Sequence, residues 1–206
     1  MKNQITRLLV AMFLFGGITM GTSQVRLGAK GGLNLANLNY DGFIIDIDNK
    51  ILPNFFAGLV LEFDFSENVG LGTGLQYHGK GAKNDTGGDS QVNMGYIQVP
   101  LQLQYRGNGF FAAAGPYVAY AISGTAKDGD DKEDLSFGSE IDDDFASLDY
   151  GLNLELGFEF TQLRATAFYS LGLANGIPKD AQDFLGDGSI KHSVIGVALT
   201  YLFGGN

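Results

Sequence analysis

Only two histidines, His78 and His192, occur in the 206 residues, and there is no cysteine. Nucleophilic catalysis through a histidine needs a serine and an acid close by. His192 and Ser193 are neighbours in the chain, so on a strand their side chains point to opposite faces. His78 falls at the outer end of an alternating segment, where a rim serine or aspartate could reach it. The ordinary reading there is a rim-exposed histidine. The sequence holds no H-E-x-x-H and no phosphate loop. No catalytic and no cofactor-binding residue is assigned, and no cofactor is expected. Without cysteine, disulfides, thiolate metal sites and cysteine nucleophiles are excluded.

Oxygen ligands are dense between Lys127 and Asp144, where Asp128, Asp130, Asp131, Glu133, Asp134, Glu140, Asp142, Asp143 and Asp144 fall. Such a run could hold Ca²⁺ or share cations with lipopolysaccharide. It lacks the D-x-[DN]-x-[DN]-G order of an EF-hand loop. The expectation is a solvated acidic loop and no metal site, with Asp142, Asp143 and Asp144 as weak candidates.

The elements that must position these groups are strands. Strict alternation fills the chain after Gln24, in eight segments of about 10 to 14 residues, enough for tilted membrane strands. They are Val25–Leu35, Phe55–Phe65, Val69–His78, Tyr96–Arg106, Phe110–Gly124, Leu148–Phe160, Leu163–Leu173 and Val194–Phe203. In the sixth, Leu148, Tyr150, Leu152, Leu154, Leu156, Phe158 and Phe160 alternate with Asp149, Gly151, Asn153, Glu155, Gly157 and Glu159. The fifth is alanine-rich, and Ala114, Pro116, Val118, Tyr120 and Ile122 are its expected outer face. Connections alternate between short (Ser66 to Asn68, Gly107 to Gly109, Thr161-Gln162) and long (Asn37 to Asn54, Gly79 to Asn93, Thr125 to Ser147, Asn175 to Lys191). All tight turns then lie at one end and all long loops at the other, as in outer-membrane barrels with short periplasmic turns.

What lies on the polar face decides which way the barrel is turned. That face carries many glycines and nine charges: Arg26, Lys30, Glu62, Asp64, Arg106, Asp149, Glu155, Glu159 and Arg164. Small residues and paired charges suit the crowded interior of an eight-stranded barrel. The apolar face has Leu and Val centrally and rings near strand ends, among them Tyr77, Tyr105, Tyr150, Phe160, Tyr201 and Phe203. Rings in those places suit the two membrane interfaces. A soluble lipocalin-like binder, with the apolar face inward, would carry fewer glycines on its outer face. Four cations and five acids in a narrow bore should neutralise one another, because an unpaired buried charge costs several kcal/mol. The spacing assigns no particular pairs, but a paired network would plug the bore and leave no wide pore.

Composition agrees. Glycine is 31 of 206, about twice ordinary usage. Charged residues are 17 %, and the net charge of −10 gives no basic patch for nucleic acid. Lys2 and Arg7 followed by the apolar run Leu8 to Ile18 read as a signal peptide. Cleavage after Ser23 would leave residues 24–206 as one barrel domain, and no later apolar run is long enough for a membrane helix.

The stretch Gly28-Ala29-Lys30-Gly31-Gly32-Leu33-Asn34-Leu35-Ala36-Asn37-Leu38 resembles the opening G-x-K-G-G-x-N-x-(A/S) strand of the PorT-like outer-membrane β-barrel family of Bacteroidetes. Tyr96-Ile97-Gln98-Val99-Pro100-Leu101 is similar to that family's Y-(I/L)-x-(I/V)-P-(L/I) strand, and Gly115-Pro116-Tyr117 to its G-P-Y element. The resemblance spans the mature chain. It implies an outer-membrane barrel, and the family's named member takes part in a protein-secretion pathway.

The expectation is therefore an all-β, eight-stranded antiparallel up-and-down transmembrane barrel behind a cleavable signal peptide. Its place is the bacterial outer membrane, as a monomer among lipid and lipopolysaccharide. Its role is non-enzymatic, structural or interaction-based, with secretion or envelope proteins as partners. The alternatives are a small pore for ions or apolar solutes and, further off, a lipid-modifying enzyme.

Overall fold

In a computed structural model, residues 25–41, 50–84, 90–185 and 188–203 are described. The segment 1–23, read from the sequence as a signal peptide, lies outside them, as do residues 24, 42–49, 85–89, 186–187 and 204–206. The elements are β1 (Val25–Asp41), β2 (Leu52–Asp64), β3 (Val69–Asn84), β4 (Ser90–Gly107), β5 (Phe110–Asp128), β6 (Asp131–Asp134), β7 (Phe137–Gly138), β8 (Phe145–Ala146), β9 (Leu148–Phe160), β10 (Leu163–Gly172), α1 (Lys179–Leu185) and β11 (Ser189–Phe203). Eight of them form an antiparallel ring in the order β1-β2-β3-β4-β5-β9-β10-β11, and β11 pairs back onto β1. Closure leaves no edge facing hydrocarbon, the condition for a sheet to span a bilayer. Among the described residues no helix is long and apolar enough to cross a membrane.

Apolar side chains turn outward. Leu152, Leu154 and Leu156 are 50, 49 and 46 % exposed, whereas Glu155 between them is 3 % exposed. On β5 the outer face is Ala114, Pro116, Val118, Tyr120 and Ile122, as expected. The tight turns also follow from sequence. Asn108 and Gly109 take φ of 52° and 79° between the paired residues Gly107 and Phe110. An Asn-Gly pair with both φ positive matches the twist of the flanking strands.

The strands run further than the alternation suggested, all at the long-loop end. β1 continues to Asp41, β3 to Asn84 and β5 to Asp128, while β4 begins at Ser90, β2 at Leu52 and β11 at Ser189. The ends of the expected connections over Asn37 to Asn54, Gly79 to Asn93, Thr125 to Ser147 and Asn175 to Lys191 are therefore strand. The longest of them also folds back as β6 along β5, and another holds α1.

The physical reason is an inversion of the two faces at one height. In the extensions the inward residues become apolar: Leu38, Ala82 and Met94 are buried with Tyr96, Tyr117, Ala119 and Ala121 in one cluster. Alternating with them are the polar Asn37, Asn39, Lys83, Gln91 and Asn93. Leu135, Phe137 and Phe145, from the β5–β9 connection, pack on the same cluster. Below the inversion the barrel is apolar outside and charged inside; above it stands a cap built like a water-soluble sheet, with its own small core.

Candidate functional site

All nine charges read from the sequence face the interior, and the structure brings them together in three sets stacked along the bore. The set nearest the tight turns, which outer-membrane barrels keep on the periplasmic side, gathers around Glu62, 1 % exposed. Its Oε1 accepts from Arg164 Nη1 (2.6 Å) and Gln104 Nε2 (3.1 Å). Its Oε2 accepts from Arg26 Nη2 (2.8 Å), Arg106 Nη2 (3.0 Å) and Arg164 Nη2 (3.0 Å). Arg26 also donates to Glu159 (2.8 Å), Arg106 to Asp64, and Arg164 to Glu159. The Arg164 guanidinium lies 3.7 Å from the centroid of the Phe111 ring. Three arginines thus meet three carboxylates, with planar forks suited to shared, bidentate pairing.

The second set is a single pair. Lys30 Nζ donates to Glu155 Oε2 at 2.6 Å, and Thr166 Oγ1 donates to Glu155 Oε1 at 2.6 Å. These three stand on β1, β9 and β10, so the contact exists only because the sheet closes. Above this pair an aromatic block crosses the bore. Phe56 stacks on His78 (4.8 Å between centroids, 12° between planes) and meets Phe168 edge-on at 5.1 Å.

His78 is therefore not at the rim. It is 4 % exposed, with Nε2 3.0 Å from Gln76 Oε1. β3 runs six residues past it, which moves the rim away from its ring. His192 is also buried, with Nε2 3.2 Å from the Tyr96 hydroxyl.

The third set contains the residue that the sequence reading missed. Lys80 Nζ donates to Asp149 Oδ2 at 2.7 Å, and the Tyr117 hydroxyl donates to the same oxygen at 3.1 Å. Lys80 falls two positions past His78 on the same parity as Gln76, so extending the alternation by one step would have found it. With Lys80 counted, five cations face five carboxylates and the interior is neutral. The three resemblance stretches contribute here: Lys30 lies in the first, Tyr96 opens the second and Tyr117 closes the third.

Two carboxylates of the acidic loop, those of Asp143 and Asp144, accept from its own backbone. Asp144 Oδ2 accepts from the Ser136 amide (2.8 Å) and hydroxyl (2.9 Å), and Asp143 Oδ2 accepts from the Glu140 amide (2.9 Å). Among the described residues no three His, Asp or Glu side chains are grouped to hold a metal ion.

Two open mouths bound the charged core. The extracellular one is a cleft of about 620 Å³ beside Leu38, Tyr40, Val92 and Ala126. The periplasmic one, about 460 Å³, is lined by Arg26, Asp64, Arg106 and Glu159. Between them a void beside Gln76, Gln98, Gln102 and Asn153 has room of about 10 Å³, on the scale of a single water.

Residues 13–177 match the family described as "Outer membrane protein beta-barrel domain". No curated protein matches the sequence. Similar solved structures include Neisserial surface protein A (NspA), at 6 % identity and a TM-score of 0.53, covering 85 % of this chain and 96 % of that one. Ail, the attachment invasion locus protein of Yersinia pestis, is 12 % identical with a TM-score of 0.47, covering 87 % and 99 %. The outer membrane protein OprG from Pseudomonas aeruginosa is 20 % identical with a TM-score of 0.40, covering 89 % and 98 %. The likeness to NspA is one of fold alone.

Proposed function

Because the chain belongs to the outer membrane protein beta-barrel domain family and resides in the bacterial outer membrane, we propose that it is a closed, non-enzymatic barrel whose work is structural or interaction-based. The observation that carries this reading is the neutral interior, in which each of the ten charged groups has a partner of opposite sign: three charge sets in series, with only a water-sized void between them. Such a bore has no lane for solute. What remains for a partner is the extracellular cap with its acidic loop, the periplasmic turns and the belt against lipid and lipopolysaccharide.

In the same proposal, residues 1–23 direct export and are removed, and residues 24–206 form one monomeric barrel domain. The PorT-like stretches support the finer reading, membership of that Bacteroidetes branch with a place among secretion or envelope components. The test is co-purification of the tagged full-length chain from native membranes under gentle detergent. Recovery of secretion-machinery subunits in stable proportion is the expected result. A barrel that comes away with lipid alone would remove the secretion reading and leave a general envelope role. The alternative, a small pore for ions or apolar solutes, would be favoured by stepwise currents from the purified protein in planar bilayers.

A further inference from the structure

Lys80 is entirely buried, at 0 % exposure. Its ammonium sits 5.0 Å from the centroid of the Tyr96 ring and 4.5 Å from that of Tyr117, with Asp149 Oδ2 at 2.7 Å. Two aromatic faces and a carboxylate are the chemistry that recognises alkylammonium ions. The carboxylate has capacity left, since Asp149 Oδ1 is buried with no partner. The backbone presents this one side chain by itself, between Gly79 and Gly81. Gly81 takes φ of 138° inside the strand, and a Cβ there would lie 1.9 Å from the Val92 carbonyl oxygen. Above the cage lies the apolar cluster of the cap, with Leu38 and Met94; below it lies the polar lumen, with Gln76 and Gln98.

We propose that Tyr96, Tyr117 and Asp149 form an ammonium-binding site that the chain fills with its own Lys80, and that this tethered ammonium is the stopper between the extracellular cap and the lumen. The class of ligand the site takes is a small primary alkylammonium, arriving from the extracellular mouth once the lysine side chain is gone.

The absence of native cysteine gives a direct test. Gln98→Cys places a thiol below the stopper, in the full-length protein folded in vesicles. With Lys80 in place, externally added aminoethyl methanethiosulfonate is expected to leave that thiol unlabelled. Adding Lys80→Ala is expected to make it reactive. n-Butylammonium should then suppress the labelling while sodium at equal concentration does not, and Asp149→Asn should abolish that protection. Equal labelling with and without Lys80, or suppression by sodium as strong as by butylammonium, overturns the proposal. Should Lys80→Ala not fold alone, refolding is repeated with n-butylammonium and followed by gel mobility. Recovery by the amine and not by sodium is the expected result, and failure of the amine to recover it overturns the proposal.

Discussion

At the scale of single residues, the charges inside the barrel are bound by mutual dependence. Glu62 accepts hydrogen bonds from three arginines and a glutamine, so removing its charge leaves three buried guanidinium groups short of acceptors. Loss of one partner from a buried pair costs about 3–5 kcal/mol, mostly as the penalty on the group left behind. Glu62→Gln and Glu155→Gln are each expected to lower stability by about that amount. Leu154→Ala, on the lipid face, should cost far less, because acyl chains refill the space its side chain leaves. Urea titration in lipid vesicles, read by gel mobility of the folded form, ranks the three; equal losses would show that the charges contribute no more than lipid-facing leucine. Nine members of the interior could be read from parity alone. Their pairing could not, because Arg26 and Glu159 are 133 residues apart and meet only across the closed bore. Lys80 escaped because its neighbours Gly79 and Gly81 look like the start of a loop.

At the scale of elements, the spanning part of each strand was legible because lipid outside and charge inside impose one alternation on all eight. The extensions were not, because their faces are inverted. Leu38 between Asn37 and Asn39, and Val92 between Gln91 and Asn93, keep a period of two but no longer point grease outward. The inversion fixes where the membrane stops, and that can be measured. Leu199→Arg, in the middle of β11 on the apolar belt, is expected to cost about 2–4 kcal/mol, the range for a basic residue at the bilayer midplane. Asn37→Arg, on the outer face of β1 above the inversion, should cost about 0–1 kcal/mol, the range near the interface. Similar losses at both sites in vesicle titrations would place the boundary elsewhere. Glycine on the inner face sets a second limit on these elements. A Cβ at Gly157 would stand 2.1 Å from the Ala165 carbonyl oxygen and 2.7 Å from Thr166 Cα, both backbone atoms of the paired strand. Gly157→Val is therefore expected to reduce the folded fraction on refolding into vesicles, whereas Ala165→Val, on the outer face of the partner strand, should leave it near the wild-type level.

At the scale of the whole molecule, neutrality and series arrangement decide whether the barrel conducts. Any ion moving along the bore must pass the arginine set around Glu62, the Lys30–Glu155 pair and the Lys80–Asp149 pair in turn. Each is internally compensated, so an entering ion meets no net charge to offset the hydration it sheds, and parting any pair exposes a buried charge at a cost of several kcal/mol. The openings at the two ends are wide, about 620 and about 460 Å³, but the first is floored by the apolar residues Leu38 and Ala82 of the cap and the second by the arginine set itself. The purified chain in planar bilayers is therefore expected to give no stepwise current at moderate voltage. The stronger expectation concerns variants: Lys80→Ala alone should remain silent, because the two sets beneath it still stand in series. Current from that single variant would mean that the lower sets do not seal. Current from the unaltered protein would mean that the pairs part under voltage and that the closed-barrel reading gives way to a pore.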